Sequence, residues 1–312
     1  MADTRQKVIR VTHLFCFGLG YSSGIVADRL AQQGWRITGT STRAEGAAQI
    51  SANGHTGLVF DGTAPSAAVA AELETATHVL LSIPPGANGD PAFAHFSDSI
   101  RESSAITWIG YFSTVGVYGD AQGGWVDEET QAKPGSERGK RRLAAEQQWL
   151  GLAQNAGKHA AVFRLPGIYG PGRCALDDVR DGTARSIIKP GQVFNRVHVE
   201  DIASAVIAAM ERPHPGRVYN VTDDEPGPPQ DVVNFAAQLL GRPQPPSLDF
   251  ATPERSPILS PILSPMARSF YSENKRVANA RMKAELGIRL KYPNYREGLT
   301  EILRSAAPKN AG

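Results

Sequence analysis

An apolar run that stops at two glycines constrains this chain more than any other stretch. Leu14-Phe15-Cys16-Phe17 ends at Gly18-Leu19-Gly20, and Ile25, Val26 and Leu30 then recur on one helical face. The pattern reads as strand, tight turn, helix. Such a turn aims backbone N–H groups and a helix N-terminus at one point, which attracts phosphate. The dinucleotide spacing is G-x-G-x-x-G. Here Ser23 stands at the third position and Gly24 comes one residue late. Serine is small enough for close helix–strand packing, so Gly18, Gly20, Tyr21, Ser22 and Ser23 are the candidate cofactor-binding turn. A plain glycine turn without a ligand is the competing reading.

The length of 312 residues allows one large or two modest domains. Lys and Arg number 33 against 31 Asp and Glu. A net charge of +2 gives no bulk attraction to nucleic acid or to a membrane surface. No apolar run is long enough to span a bilayer. The two cysteines, Cys16 and Cys174, show no metal-ligand spacing, so no metal is expected. Cys16 is expected to be a small buried hydrophobe. The polar start MADTRQKVIR lacks the apolar core of a signal peptide, which makes a cytoplasmic setting the default.

A second strand, 35–40, follows the first helix. The group that meets the adenosine ribose is expected at its end, about twenty residues past the glycines. An acid there would favour NAD. This chain has Thr40-Ser41-Thr42-Arg43 and no acid before Glu45. Hydroxyls and a guanidinium suit a 2′-phosphate, so NADP(H) is preferred over NAD(H). Asp61, ending a third strand at 57–60, is placed to contact adenine or cap the next turn. A helix at 66–75 precedes a buried strand at 77–83, and Ser82-Ile83-Pro84-Pro85 forms the other lip of the cofactor crevice. A helix at 90–101 and a strand at 106–112 complete five strands alternating with helices. That order predicts a parallel α/β sheet with right-handed crossovers.

The fifth strand runs into Ser113-Thr114-Val115-Gly116-Val117-Tyr118-Gly119. Then come Arg142-Leu143-Ala144-Ala145-Glu146, Phe163-Arg164-Leu165-Pro166-Gly167-Ile168-Tyr169-Gly170-Pro171-Gly172 and Asn195-Arg196-Val197-His198-Val199-Glu200-Asp201-Ile202-Ala203. In this order the chain resembles the extended short-chain dehydrogenase/reductases, which include the NAD(P)-dependent epimerases and dehydratases. Gly18-Leu19-Gly20 in place of the usual T-G-x-x-G-x-x-G makes it similar to the atypical branch. The resemblance implies a doubly wound parallel Rossmann sheet of about seven strands. It implies a small C-terminal α/β substrate domain, a homodimer, and a small-molecule substrate such as a nucleotide sugar. It places Pro166 at the cofactor. The expected division is a dinucleotide-binding domain, 1–167, completed by 196–222, with 168–195 and 223–312 forming the substrate region.

The family's catalytic set is a Ser or Thr, a Tyr, and a Lys four residues after the Tyr. The phenol exchanges a proton, and the cation lowers its pKa. Thr114, with Ser113 beside it, falls at the Ser/Thr position. The Tyr-x-x-x-Lys is missing. Anchoring on Leu143–Glu146 puts Arg138 at the Tyr position and Arg142 at the Lys position; the other alignment gives Ser136 and Lys140. Arginine stays protonated and cannot be the general acid/base. Arg138, Lys140, Arg141 and Arg142 form either a solvated basic face or an anion site. Tyr118 and Tyr169, in loops at strand C-terminal ends, are either stand-in acids or packing tyrosines. Three readings follow: an NADP(H)-dependent oxidoreductase or epimerase with a rearranged acid/base, an inactive NADP(H)-binding sensor, or an unliganded scaffold.

Further along, 168–195 reads as loop-rich, with Arg173 and Lys189 as either anion contacts or surface charges. His198 reads as a core histidine, with Glu200 or Asp201 capping the helix that follows. Strand 218–221, a helix at 231–240 and a tandem Ser-Pro-Ile-Leu repeat at 256–265 come next. Proline at every fourth position keeps that repeat out of helix interiors and central strands. Asn274–Val277 and Ala284–Gly287 suggest one helix with a glycine stop, and a last helix begins near Arg296.

Overall fold

The structure is a computed structural model and describes residues 11–250 and 265–306. The Ser-Pro-Ile-Leu repeat lies, up to residue 264, outside the described residues. The expected alternation is present: β1 (His13–Phe17), α1 (Tyr21–Gln32), β2 (Arg36–Ser41), α2 (Ala44–Ala52), β3 (Thr56–Val59), α3 (Ala67–Thr75), β4 (His78–Leu81), α4 (Pro91–Glu102) and β5 (Trp108–Thr114). The chain continues through β6 (Trp125–Val126), α5 (Glu137–Asn155), β7 (His159–Leu165), β8 (Gly167–Tyr169), α6 (Ala175–Arg180), β9 (Ser186–Ile188), β10 (Arg196–His198), α7 (Val199–Glu211) and β11 (Arg217–Asn220). Last come α8 (Pro229–Leu239), β12 (Ser247–Asp249), α9 (Pro265–Phe270), β13 (Arg276–Val277), α10 (Ala280–Leu286) and α11 (Tyr295–Ala306).

Seven strands form one all-parallel sheet in the order β11-β7-β5-β4-β1-β2-β3. The order reverses between β1 and β4, the switch point at which ligands bind in doubly wound sheets. By its contacts the chain divides into two compact units. The first runs up to Tyr111 and includes Gln148–Ala161 and Pro213–Gly216; the second holds Phe112–Gln147, Val162–Arg212 and the chain from Arg217 onwards.

The core of the first unit follows from continuous apolar strands. Leu14, Phe15, Cys16 and Phe17 are all fully buried, as are Val79, Leu80 and Leu81. Phe17, Phe60 and Phe96 pack as a triangle of rings with centroids 5.4–5.7 Å apart. Asp90 starts α4 by accepting the N–H groups of Ala92 and Phe93, and its other oxygen accepts the Trp149 indole N–H at 3.1 Å. Asp90→Ala is expected to cost about 2–3 kcal/mol, the sum of a lost helix cap and a buried donor without a partner. Urea unfolding measures it, and a loss under about 0.5 kcal/mol would show that neither bond matters.

In the second unit, Leu176, Ala236, Ala237, Tyr295, Leu299 and Ile302 form one apolar cluster, and Val117, Tyr118, Val126 and Val277 another. Some expectations hold here and others are corrected. The span 168–195 is loop-rich as expected, and it also carries β8, α6 and β9. Asn274–Val277 is not helical: the Arg276 N–H donates to Gly124 O and the Val277 N–H to the Asn195 side chain, so tertiary partners draw the backbone into β13. The glycine stop holds, with Gly287 at φ +66° closing α10. His198 is buried as expected, but it is itself the cap of α7, accepting the Glu200 N–H on Nδ1. Asp201 instead accepts the N–H groups of Lys291 and Tyr292. Among the described residues no helix is long and apolar enough to cross a membrane.

Candidate functional site

The glycine turn of the first unit is held from three sides. Gly18 sits at φ +83°, where side-chain-bearing residues are strained, and a Cβ there would lie 2.7 Å from the Ile83 side chain. Its N–H donates to Thr40 Oγ1 at 2.8 Å, and the Leu19 N–H donates to Thr40 O at 2.9 Å. The N–H groups of Ser82 and Ile83 both donate to Phe17 O. Ser23 does more than stay small. Its buried hydroxyl donates to Gly18 O at 2.8 Å and accepts the Gly20 N–H at 2.9 Å, which locks the turn onto the start of α1. Gly24 gives its N–H to Gly20 O, the first rung of the helix ladder.

Gly20 is the N-cap of α1 and is exposed. A Cβ on it would meet nothing within 4 Å, so open space lies in front of the helix end. That space lies before a rigid turn and the positive end of a helix dipole, the setting that attracts a phosphate group.

The other cofactor candidates fall into two groups. Thr40 is buried and its hydroxyl serves the turn, so it shapes the site from behind. Ser41 ends β2 half-buried, and Thr42 and Arg43 follow, exposed, with Arg43 capping α2. Asp61 closes its own turn, accepting the Thr63 N–H and hydroxyl at 2.9 and 2.7 Å. Those two bonds hold its carboxyl below the usual range. Ser82, Ile83 and Pro85 are half-buried and Pro84 is exposed after β4. Tyr21 is half-buried and Ser22 buried on the first turn of α1, and Pro166 is half-buried after β7.

In the second unit the structure separates residues that the sequence set side by side. The Ser113 hydroxyl donates to Glu146, and Glu146 also accepts Arg164 Nε at 3.1 Å and Nη2 at 2.8 Å. The Arg164 guanidinium lies 4.8 Å from the centre of the Tyr118 ring, and Tyr118 donates to Asn220 Oδ1 at 2.8 Å. Ser113 and Tyr118 are therefore built into a buried polar network. Burial raises the Tyr118 phenol above its ordinary value, so at neutral pH it keeps its proton. Tyr169 is also buried, donates to Asn294 O at 3.3 Å, and is likewise raised by burial. Both phenols are buried and hydrogen-bonded within the protein.

Thr114 is different. It is half-buried and caps the short 3-10 turn Val115–Tyr118, accepting the Gly116 N–H at 3.1 Å. The alternative pair is structural or solvated: Ser136 caps α5 by accepting the Gly139 N–H, and Lys140 pairs on the surface with Glu137. Arg142 is buried, with Nη1 donating to Phe112 O at 2.5 Å, while Arg138 is exposed one turn earlier. Desolvation and the Arg142 charge both lower the Arg138 pKa from the ordinary arginine value, and it remains a cation.

The second unit also holds a cleft of about 570 Å³ lined by Tyr169, Arg173, Asp178, Arg196 and Tyr295 among others. Arg173 lines this cleft together with the acidic Asp177, Asp178 and Asp181. Lys189 does not; it donates to Tyr271 O and lies 5.6 Å from the Phe250 ring centre. Three features escaped sequence reasoning. Arg196 in the cleft was visible as a cation inside an apolar segment. Leu19 lying over Gly39, where a Cβ would come within 2.4 Å, was signalled by a lone glycine inside β2. Glu146 as the hub of a buried network carried no local signal.

Residues 98–222 match the family model described as NAD dependent epimerase/dehydratase family. Protein YeeZ of Escherichia coli K12 is 27% identical over 235 residues, covering 72% of this chain and 82% of that protein. The structure of a functionally unknown conserved protein from Silicibacter pomeroyi is 48% identical, with a TM-score of 0.84, over 95% of this chain and 100% of that one. A dTDP-glucose 4,6-dehydratase from Bacillus anthracis, solved in complex with NAD, shares the fold at 16% identity, with a TM-score of 0.74 over 94% of this chain and 96% of the other. With the sheet order and glycine turn described above, these findings lead to one assignment: residues 98–222 form a domain of the NAD dependent epimerase/dehydratase family, in a chain whose fold is shared with solved epimerase and dehydratase structures.

Proposed function

We propose that the protein binds a nicotinamide dinucleotide on the Gly18–Ser23 turn and acts as an oxidoreductase on a small-molecule substrate without a tyrosine acid. The observation that carries this reading is the space in front of Gly20, walled by a turn that Thr40 and Ser23 hold rigid. Gly18 and Gly20 let a pyrophosphate approach the backbone, and the α1 N-terminus supplies donors and a favourable dipole. When bound, the cofactor supplies or accepts hydride. The protein's part is to hold it, to orient the substrate and to set the local charge. Thr114 offers a hydroxyl to a substrate oxygen. Arg142 stands at the family's lysine position and Arg138 at the tyrosine position; a guanidinium stabilises negative charge and does not give up its proton.

We further propose NADP(H) as the preferred cofactor, on the exposed Thr42 and Arg43 after β2. Arg43→Glu is expected to weaken NADPH binding on the order of tenfold to a hundredfold while changing NADH binding less than about threefold. Fluorescence titration with both nucleotides measures it. An equal loss for both would show that Arg43 does not read the 2′-phosphate. A second reading, a nucleotide-binding sensor without turnover, is favoured by one observation: both nearby hydroxyl candidates, Ser113 and Tyr118, are committed to the buried network. NADPH titration followed by turnover assays with carbonyl and nucleotide-sugar substrates separates the two. Binding without turnover supports the sensor, and no binding sinks both.

A further inference from the structure

We infer that Arg138 is an oxyanion receptor, so that the substrate of this site carries a carboxylate or phosphate group close to its reacting carbon. The inference rests on the reading above for what the site is, and it names the class of molecule that the site takes.

Arg138 and Arg142 lie one turn apart on α5 and therefore share a helix face. Arg142 fixes where that face looks. Its buried guanidinium donates to Phe112 O, at the end of β5, two residues before Thr114. The helix head is held against the turn that Thr114 caps. A Cβ on Gly139, next to Arg138, would lie 3.1 Å from Gly116 O and 2.8 Å from the Pro134 side chain. Arg138 thus stands on the face of α5 that looks toward the end of β5.

Its neighbours in the basic cluster are accounted for. Lys140 pairs with Glu137 at 2.7 Å, and Arg141 Nε donates to Glu137 O at 3.3 Å. Among the described residues, Arg138 alone of these three has a side chain without a hydrogen-bond or ion-pair partner. Its position is electrostatically poor. A cation in the first turn of a helix opposes the helix dipole, and a like charge one turn away adds repulsion. Partial desolvation and the charge of Arg142 act in the same direction. A bound oxyanion removes both penalties at once. Guanidinium also matches the shape of such a group, presenting parallel N–H donors to two oxygens. Since arginine does not act as the proton donor, the role left to it at the tyrosine position is charge and orientation.

The test is calorimetric titration of the full chain with malonate and with inorganic phosphate, with and without saturating NADPH, using the wild type, Arg138→Met and Arg138→Lys. The wild type is expected to bind at least one probe, and whichever binds tighter identifies the group as carboxylate or phosphate. Arg138→Met is expected to weaken that binding at least about tenfold, and Arg138→Lys to restore only part of it, because the charge returns without the fork. NADPH affinity should stay within about twofold, and the melting temperature of Arg138→Met should equal or exceed the wild type's, since an unfavourable cation has gone. Equal probe affinity in wild type and Arg138→Met overturns the inference, as does failure of the wild type to bind either probe. A loss of NADPH affinity in place of probe affinity also overturns it, making Arg138 a cofactor contact. If the probes depend on Arg138 but NADPH does not bind, the oxidoreductase reading falls and the anion receptor stands.

Discussion

Glu146→Ala is expected to destabilise the protein by about 3–5 kcal/mol, a large share of the stability of an ordinary domain. Glu146 is 2% exposed and Arg164 is 6% exposed, so the pair is cut off from water. Burial works against the Arg164 charge, and the hydrogen bonds and charge of Glu146 more than offset it, which leaves the guanidinium pKa above its ordinary value. Alanine would leave that cation buried against the face of Tyr118 without its carboxylate. It would also remove the acceptor of the Ser113 hydroxyl, at the end of β5 and next to Thr114. The damage comes from the stranded charge and not from the loss of a favourable pair, so the second half of the prediction is its control. Glu146→Leu combined with Arg164→Met should recover most of the loss, because a buried ion pair is often replaceable by apolar residues of similar size. Urea unfolding of the single and double variants measures both effects. A loss below about 1 kcal/mol for Glu146→Ala would mean that water reaches Arg164 and that the network does not hold the strand end.

The same residues show where the sequence was legible and where it was not. The sheet strands β1, β4 and β5 could be read because each is mainly an apolar run closed by a turn signal, and β2 and β3 because they follow in the βα alternation. The glycine turn could be read because its geometry is local. The two- and three-residue strands could not. β6 and β13 pair across about 150 residues of chain, and Trp125-Val126 or Arg276-Val277 carries no period to detect. The helical expectation for Asn274–Val277 failed for that reason: its partners, Gly124 and Asn195, are distant in sequence. At the candidate site the residue types were visible, but their commitments were not. Nothing near Tyr118 announces Asn220, and nothing near Ser113 announces Glu146. Both hydroxyls looked available for chemistry, and both are spent on packing. Arg138 and Arg142 look equivalent as letters, whereas one is buried against a strand end and the other is exposed.

Gly20→Val is expected to weaken nicotinamide-dinucleotide binding more than about a hundredfold, while costing no more than about 1 kcal/mol of stability. The two glycines of the turn make this a clean separation. Gly18 is structural: at φ +83° with Ile83 at 2.7 Å from a would-be Cβ, any side chain strains the turn itself. Gly20 is not. Its φ of −104° and ψ of −155° are open to side-chain-bearing residues, and no protein atom stands within 4 Å of a Cβ there. The stability cost is that of a poor helix cap, with the Ser23 hydroxyl still able to accept the residue-20 N–H. The valine side chain would instead fill the space in front of α1, where a pyrophosphate must approach to meet the backbone donors. A folded protein whose melting temperature falls by no more than about 4 °C, with no NADPH fluorescence response, is the expected result. If Gly20→Val binds NADPH as the wild type does, the dinucleotide does not lie on this turn. Gly18→Ala is the internal comparison: it should lower the melting temperature as well as the affinity, because a side chain there acts on the turn before any ligand arrives.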